Sequence, residues 1–432
     1  MNNPMPKRFF PCGLAALALS VVIAGCGDGK PAASPDGTTA PAATTDTTKP
    51  TEGGSTAKRP TPTAPPVKIE GDTIKVGLVA SLSGENKPWG DDSQEGAKMA
   101  VKEINDKGGI GGKQVELLVQ DDASTPEGAK SAAEKLLSQG VVELIGEVSS
   151  SITIQIANSA FEKNVPVVDI GGTKTTLTDI GSNVFRVCYT DDFQGPVMAT
   201  FAYDELGLRN VALMTDNQQA YSQGLSAAFK AQFEKLGGKI VDEEKYNTSD
   251  TTFQGQLNAM KGKNPDGVFM SGYFTQVGPI AQQARAAGIT GKFLGGDGWD
   301  SPTLLDSGGS AIVGGYMCNH YNNKEKRPEV TEFLKKWGAA HGGKEPGTTM
   351  AALGYDAAAV GLDAIKRAKS PDSAGVIAAL DETEIFPGVS GTITLKGGNG
   401  NPTKQALVVE IRPLSEGFQV FRKAYTPDQI KK

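Results

Sequence analysis

From Thr73 onward the chain alternates short β-branched runs with amphipathic helical stretches, and it does so in two series. Ile74-Lys75-Val76-Gly77-Leu78-Val79-Ala80 reads as a buried strand. A helix over about 94–107 follows, with Ala97, Ala100, Val101 and Ile104 on one face at 3.6-residue spacing, closed by Gly108-Gly109. Strands over 115–119, 141–145 and 165–170 then alternate with helices over 126–137 and 152–162. After Val184-Phe185-Arg186-Val187 a second series begins, with strands over 211–214, 239–243, 267–270 and 292–296. Its helices are expected over 196–206, 224–236, 253–261 and 278–287. Alternation of this kind predicts parallel sheets covered by helices on both faces, and two series of this size predict two Rossmann-like α/β lobes. Past Gly315 helices return over 328–341, 350–366 and 374–380, and the chain ends in antiparallel-looking strands over 391–395 and 406–411.

The first 72 residues follow other rules. Lys7-Arg8 precedes an apolar stretch from Leu14 to Ile23, then Ala24-Gly25-Cys26. A basic start, a short apolar core and small residues before a cut read as an export signal, and the run is too short to span a bilayer comfortably. Cysteine directly after Ala-Gly resembles a bacterial lipobox, which implies cleavage after residue 25 and lipidation of Cys26. From Gly27 to Pro66 there is no Val, Ile, Leu, Met, Phe, Tyr, Trp or Cys. Such a stretch cannot offset its ordering entropy, so residues 26–72 are expected to be a disordered Thr/Pro-rich tether.

Composition narrows the chemistry. A net charge of −6 argues against nucleic-acid binding. Two histidines, His320 and His341, and four cysteines, Cys12, Cys26, Cys188 and Cys318, exclude a multi-Cys/His metal framework. Gly108-Gly109-Ile110-Gly111-Gly112 follows a helix and precedes a strand, the reverse of a dinucleotide loop. A serine triad would need a histidine near Ser150, and both histidines fall in the later segments. No catalytic residue, metal or cofactor is expected, and neither histidine is given a role.

In open α/β sheets ligands bind beyond the carboxyl ends of the strands. Those ends carry Gly146-Glu147-Val148-Ser149-Ser150-Ser151 and Gly171-Gly172-Thr173-Lys174-Thr175 in the first lobe. In the second they carry Asp216 to Tyr221, Gly272-Tyr273 and Gly296-Asp297-Gly298. The first lobe offers hydroxyls and helix-start N–H groups, which suit an anion. The second offers an acid and two tyrosines, which suit a cation and apolar surface. A ligand carrying both charges would bridge the lobes, and a free amino acid has that form.

Several stretches together resemble the periplasmic leucine/isoleucine/valine-type binding proteins of ABC transporters, the type I solute-binding fold. They are Val76 to Gly84, Glu103 to Gly112, Phe185-Arg186 with Asp191 and Gln194-Gly195, Gln283 to Gly288, and Gly354-Tyr355-Asp356-Ala357. The resemblance implies two lobes joined by a three-crossover hinge, with residues 73–189 plus 319–400 in lobe 1 and 190–318 plus 401–432 in lobe 2. It makes Ser150 a donor to a ligand carboxylate and Gly171 and Thr173 the next contacts. Asp297 becomes the partner of the α-ammonium, where relatives often carry Glu. Tyr221 and Tyr273 become second-lobe walls, and Trp89 replaces a smaller aromatic first-lobe wall and narrows the side-chain space. Residues near Met350 complete the pocket. The hinge positions of Cys188 and Cys318 imply a possible disulfide.

The implied function is a monomeric, lipid-anchored extracytoplasmic binder of a free, branched-chain or aliphatic amino acid. Its partners would be a membrane ABC permease with its ATPase subunits, and the membrane itself through the lipid on Cys26. The alternatives are a receptor module of the same fold, sensing its ligand for a signalling partner, or binding of another small amino-acid-like or amide solute.

Overall fold

A computed structural model of the protein describes residues 58–430. The export signal, Cys26 and the tether up to residue 57 lie outside the described residues.

The first lobe is built on a five-stranded sheet: β1 (Thr73–Ala80), β2 (Gln114–Asp121), β3 (Leu144–Ile145), β4 (Val167–Asp169) and β5 (Val184–Arg186). The strand order is β2-β1-β3-β4-β5 and every pairing is parallel. Parallel strands need crossovers, and here these are α1 (Lys87–Asp106), α2 (Pro126–Ser138) and α3 (Ser150–Glu162). With helices on both faces the central strands are apolar throughout: Leu78, Val79, Leu144, Ile145, Val167 and Val168 are all fully buried.

The chain then enters the second lobe through α4 (Asp191–Thr200), β6 (Asn210–Asp216), α5 (Ala220–Lys235) and β7 (Lys239–Tyr246). It continues with α6 (Gln254–Gly262), β8 (Gly267–Met270), α7 (Phe274–Ala286), β9 (Lys292–Gly295), α8 (Thr303–Gly308) and β10 (Tyr316–Asn319). After β10 it returns to lobe 1 as α9 (Pro328–Ala340), α10 (Met350–Arg367), α11 (Ser373–Asp381) and a hairpin, β11 (Phe386–Gly388) with β12 (Gly391–Ile393). A third crossing brings β13 (Ala406–Ile411) and β14 (Gln419–Tyr425) onto the second sheet, whose order is β14-β13-β10-β9-β8-β6-β7. β13 and β14 pair antiparallel, as the ends of a chain that must turn back without a helix. β14 escapes the sequence pattern because it is an edge strand: Gln-Val-Phe-Arg-Lys-Ala-Tyr mixes charge with apolar residues and half of it faces water.

α10 packs on α1 and on the end of the first sheet. The contact is backbone to backbone, since a Cβ at Gly96 would lie 2.0 Å from Ala351 O and one at Gly354 would lie 2.3 Å from Ser93 O. At the hinge, Lys404 Nζ donates to Val187 O (2.8 Å) and to Ser390 Oγ (2.5 Å), tying the first and third crossings together. Burial lowers its ammonium to about 8, with the Asp356 carboxylate opposing the shift.

Residues 58–72 differ from the expected free tether, because specific polar groups hold them to lobe 1. Arg59 Nη1 donates to Gly181 O (3.1 Å) and Val184 O (2.6 Å), with its guanidinium over the Phe185 ring. Ser182 N donates to Pro60 O, Asn164 Nδ2 to Ala64 O, Val67 N to Ser373 Oγ and Ile69 N to Pro371 O. These partners precede β4, β5 and α11, so the segment is a strap along the amino-terminal edge of the first sheet. These hydrogen bonds add to the packing of Val67 and Ile69 against the hydrophobic core.

One buried group opposes folding. Glu143, just before β3, is 1% exposed, and both its carboxyl oxygens lack a partner. Burial raises its carboxyl well above the ordinary range. Glu143→Met keeps the shape and removes the orphaned polar group, so we expect stability to rise by about 1–3 kcal/mol at neutral pH. Urea unfolding of the two chains checks this.

Candidate functional site

The carboxyl ends of both sheets face one cleft, and the side chains there close on a small cavity lined by Trp89, Val148, Gly171, Tyr221, Tyr273, Asp297, Gly298 and Met350. The cavity volume is about 10 Å³, room for about one water molecule with the lobes closed.

From lobe 1, the turn after β3 delivers Val148 and the start of α3. Glu147, fully buried, accepts from Ser149 N (2.5 Å) and bonds Ser81 Oγ (2.9 Å), which also bonds Asp122 (2.8 Å). This fixes the β3–α3 turn against β1. Ser150, at the start of α3, accepts from Lys174 N (3.1 Å) and thereby sets the loop after β4. Arg186, fully buried on β5, fixes the same loop by donating to Gly172 O (2.7 Å) and Lys174 O (3.0 Å). That loop carries Gly171 into the cavity wall and Thr173 behind it, where Thr173 Oγ1 accepts from Gln194 Nε2 (3.3 Å).

From lobe 2, Tyr221 on α5 and Tyr273 before α7 stack with centroids 5.2 Å apart, and the Tyr221 hydroxyl accepts from Gly298 N (3.0 Å). Burial raises both phenols above the ordinary range. Asp297, in the turn after β9, is 4% exposed. Its Oδ1 accepts from Gln194 Nε2 (3.1 Å), and its Oδ2 lies 2.9 Å from His320 Nε2. Gln194 also bonds Asp191 (2.8 Å), whose carboxyl burial and the Asp297 charge raise to about 7.

Several polar contacts cross the cleft. The Trp89 indole N–H donates to Asp300 O (2.8 Å), the Ser149 hydroxyl bonds the Tyr273 hydroxyl (3.0 Å), Ala220 N donates to Ser151 Oγ (3.1 Å) and Gln276 Nε2 donates to Glu85 Oε2 (3.1 Å). Trp89 also stands edge-on to Tyr273 and Phe274, at 5.1 and 4.9 Å. It is therefore a cavity wall and a fastener between the lobes.

Of the residues singled out in the sequence, Trp89, Gly171, Tyr221, Tyr273, Asp297 and Met350 line the cavity, while Ser150 and Thr173 sit in the layer behind it. Asp216 stands apart: it caps its own loop by accepting from Gln218 N and Thr248 Oγ1. Val148 and Gly298, neighbours of named positions, complete the wall. His320 carried no sequence signal, because only the return of β10 beside the turn after β9 brings it to Asp297. The hinge disulfide is not formed. Cys188 and Cys318 are buried free thiols, Cys188 Sγ facing Asp169 Oδ2 (3.7 Å) and Cys318 lying beside the Tyr189 hydroxyl. Each thiol is turned to its own polar neighbour.

Two α/β lobes closed over a small polar and aromatic cavity can hold a small solute between them. The comparisons agree. The chain belongs to the periplasmic binding protein family, whose signature spans residues 73–417. Over 334 residues it is 30% identical to the Leu/Ile/Val-binding protein BraC3 of Rhizobium johnstonii, covering 77% of this chain and 90% of that one. The leucine-binding protein LivK of Thermotoga maritima superposes with a TM-score of 0.77 at 35% identity, over 82% of this chain and 99% of that one. LivJ of Streptococcus pneumoniae, solved in complex with isoleucine, superposes at 0.75 and 30% identity, over 82% and 99%.

The acid cluster under the β3–α3 turn has a consequence for stability. Burial, reinforced by Asp122, raises the Glu147 carboxyl to about 8, and burial raises Asp122 to about 6. An unfolded glutamate titrates near ~4.3, so the folded state holds the proton more tightly. Its contribution is complete below that pH and is lost as pH rises through about 8. We expect the wild-type Tm to fall between pH 6.5 and 9, and Glu147→Gln to flatten that fall in a thermal-denaturation series.

Proposed function

We propose that the protein captures a free amino acid with an aliphatic side chain between its lobes and delivers it to a membrane ABC permease. The observation that carries this reading is the division of charge across the cavity. Asp297 stands on the lobe 2 wall, and on the lobe 1 side are the start of α3 and the loop of Gly171 and Thr173. In this reading the Asp297 carboxylate takes the α-ammonium. The Ser150 hydroxyl, Thr173 and the amino-terminal end of α3 take the carboxylate, favoured by the helix dipole. Tyr221, Tyr273, Trp89, Val148 and Met350 surround the side chain. Charge-assisted hydrogen bonds of about 1.5–3 kcal/mol each must offset the desolvation of a zwitterion, so partners on both lobes are needed and binding favours the closed form. The names of the relatives, among them a Leu/Ile/Val-binding protein, support the ligand class.

The protein acts outside the cytoplasm, as a monomer held to a membrane by a lipid on Cys26. The sequence Ile23-Ala24-Gly25-Cys26 behind a basic, apolar start supports the anchor.

Asp297→Ala is expected to abolish amino-acid binding in titration calorimetry while the circular-dichroism spectrum stays native. Unchanged affinity would sink the assignment of Asp297. The space beside Trp89 is small for a branched side chain. Trp89→Phe removes a ring and the bond to Asp300 O, and should raise the leucine-to-alanine affinity ratio by about 10–200-fold, the range set by 1–3 kcal/mol in an apolar pocket. Calorimetry with both amino acids measures it.

A further inference from the structure

We propose that His320 is a positioning residue for Asp297 and makes capture of an ammonium ligand dependent on pH. The inference rests on the reading that Asp297 receives the ammonium, and it adds a group which that reading does not contain.

His320 is fully buried, at the exit of β10. Its Nε2 lies 2.9 Å from Asp297 Oδ2, and its ring stacks on Tyr189 with centroids 4.1 Å apart and planes 16° from parallel. The stack fixes the ring plane, and the bond to Asp297 fixes which nitrogen faces the site. Nδ1 has no hydrogen-bond partner. A neutral imidazole with its proton on Nε2 satisfies this geometry: it donates to the carboxylate and leaves only a bare lone pair at Nδ1. With Gln194 donating to Oδ1, each carboxylate oxygen is held by one N–H, and the negative charge stays available to the cavity. An aspartate reaches less far than a glutamate, and these two donors fix where its charge sits.

Imidazole is the side chain whose charge changes across physiological pH. A second proton, on Nδ1, would make His320 a cation bonded to the same carboxylate that an ammonium ligand needs. The two cations then compete for one negative charge in a water-poor site. Proton uptake at His320 and ligand uptake at Asp297 therefore oppose each other, and affinity falls as pH falls.

The surroundings fit this competition. From the turn after β9, Asp297 and Asp300 face the ring, and the Asp300 carboxylate feels the imidazole charge. From the segment entering α4, Tyr189 covers one face and Asp191 reaches the pair through Gln194. Cys318 on β10, Tyr221 on α5, Tyr273 before α7 and Cys188 at the hinge are further titratable groups near Asp297 and Tyr189. Tyr321, the next residue along the chain, interacts with Asp300. The buried cations Arg186 and Lys404 are committed elsewhere, to the Gly172 and Lys174 carbonyls and to Val187 O and Ser390 Oγ.

Two measurements on the full chain test the proposal. The chain holds only two histidines, so nitrogen-15 histidine labelling gives two imidazole signals, and His341→Gln assigns them. Without ligand at pH 8, His320 should show the neutral Nε2–H form, and Asp297→Asn should shift its signals. In calorimetry with L-alanine, L-valine and L-leucine from pH 8.5 down to 5, wild-type affinity should fall by up to about tenfold per pH unit. His320→Phe, which keeps the stack and removes the donor, should lose affinity throughout. His320→Gln should restore part of it without the pH slope. A wild-type slope retained in His320→Gln, full affinity in His320→Phe, or imidazole signals blind to Asp297→Asn would each overturn the proposal. The histidine measurement uses no ligand. If it shows the pair and none of the three amino acids binds at any pH, the ligand reading is overturned and the coupling with it, while the pairing of His320 with Asp297 stands.

Discussion

Parallel strand direction is the constraint on which the rest depends. Because β1, β3, β4 and β5 all run one way, every loop at their carboxyl ends emerges on the same edge, and β6, β8 and β9 repeat the arrangement in the second lobe. Two such edges facing each other bring the turn after β3, the loop after β4 and the turn after β9 together, although more than a hundred residues separate the first two from the third. The helix starts on one side and the acid on the other then follow from strand order. The antiparallel pair β13 and β14 closes the far edge of the second sheet without adding a loop to the cleft.

A cleft edge built this way buries many carboxylates, and the structure shows how each is held. Asp169 accepts from Thr153 Oγ1 (2.9 Å) and lies near Arg186, while burial still raises it to about 7. Asp300 accepts from Thr349 N and Oγ1 at 2.7 and 2.6 Å, anchoring the start of α10 to the loop that also receives the Trp89 indole. Asp356 accepts from Val389 N and Ser390 N beneath the hinge (2.7 and 2.8 Å). Buried acids with several donors specify one arrangement of loops, because any other leaves a charge without partners. Glu143 is the contrast: it has the burial without the donors.

The fold was legible because β-branched runs and 3.6-residue spacing are local signals, and so were the cavity residues that stand directly at strand ends. Gly171, Tyr221, Tyr273 and Asp297 follow from position at strand ends alone, whereas Trp89, on α1, follows only from the family resemblance. What the sequence hid depends on long-range return of the chain. His320 meets Asp297 only through the pairing of β10 with β9. Glu147 and Asp122 meet through a single serine, Ser81, just past β1. The hinge cysteines fall close together along the crossings, but side-chain direction, which no spacing reports, turns them to different partners. The strap was misread for a related reason. Its apolar residues are few, and Val67 and Ile69 hold it together with a set of hydrogen bonds to loops distant in sequence.

The position of the strap decides where a mechanical load would enter the molecule. Tension applied to the chain ahead of Lys58 is taken up at Arg59 and then along the bonds to Ser182, Asn164 and Ser373, as shear across the blunt end of the first lobe. None of these attachments touches the second lobe or the hinge crossings at Val187 and Lys404. Force therefore stops at one lobe, and the other stays free to swing while the molecule is pulled.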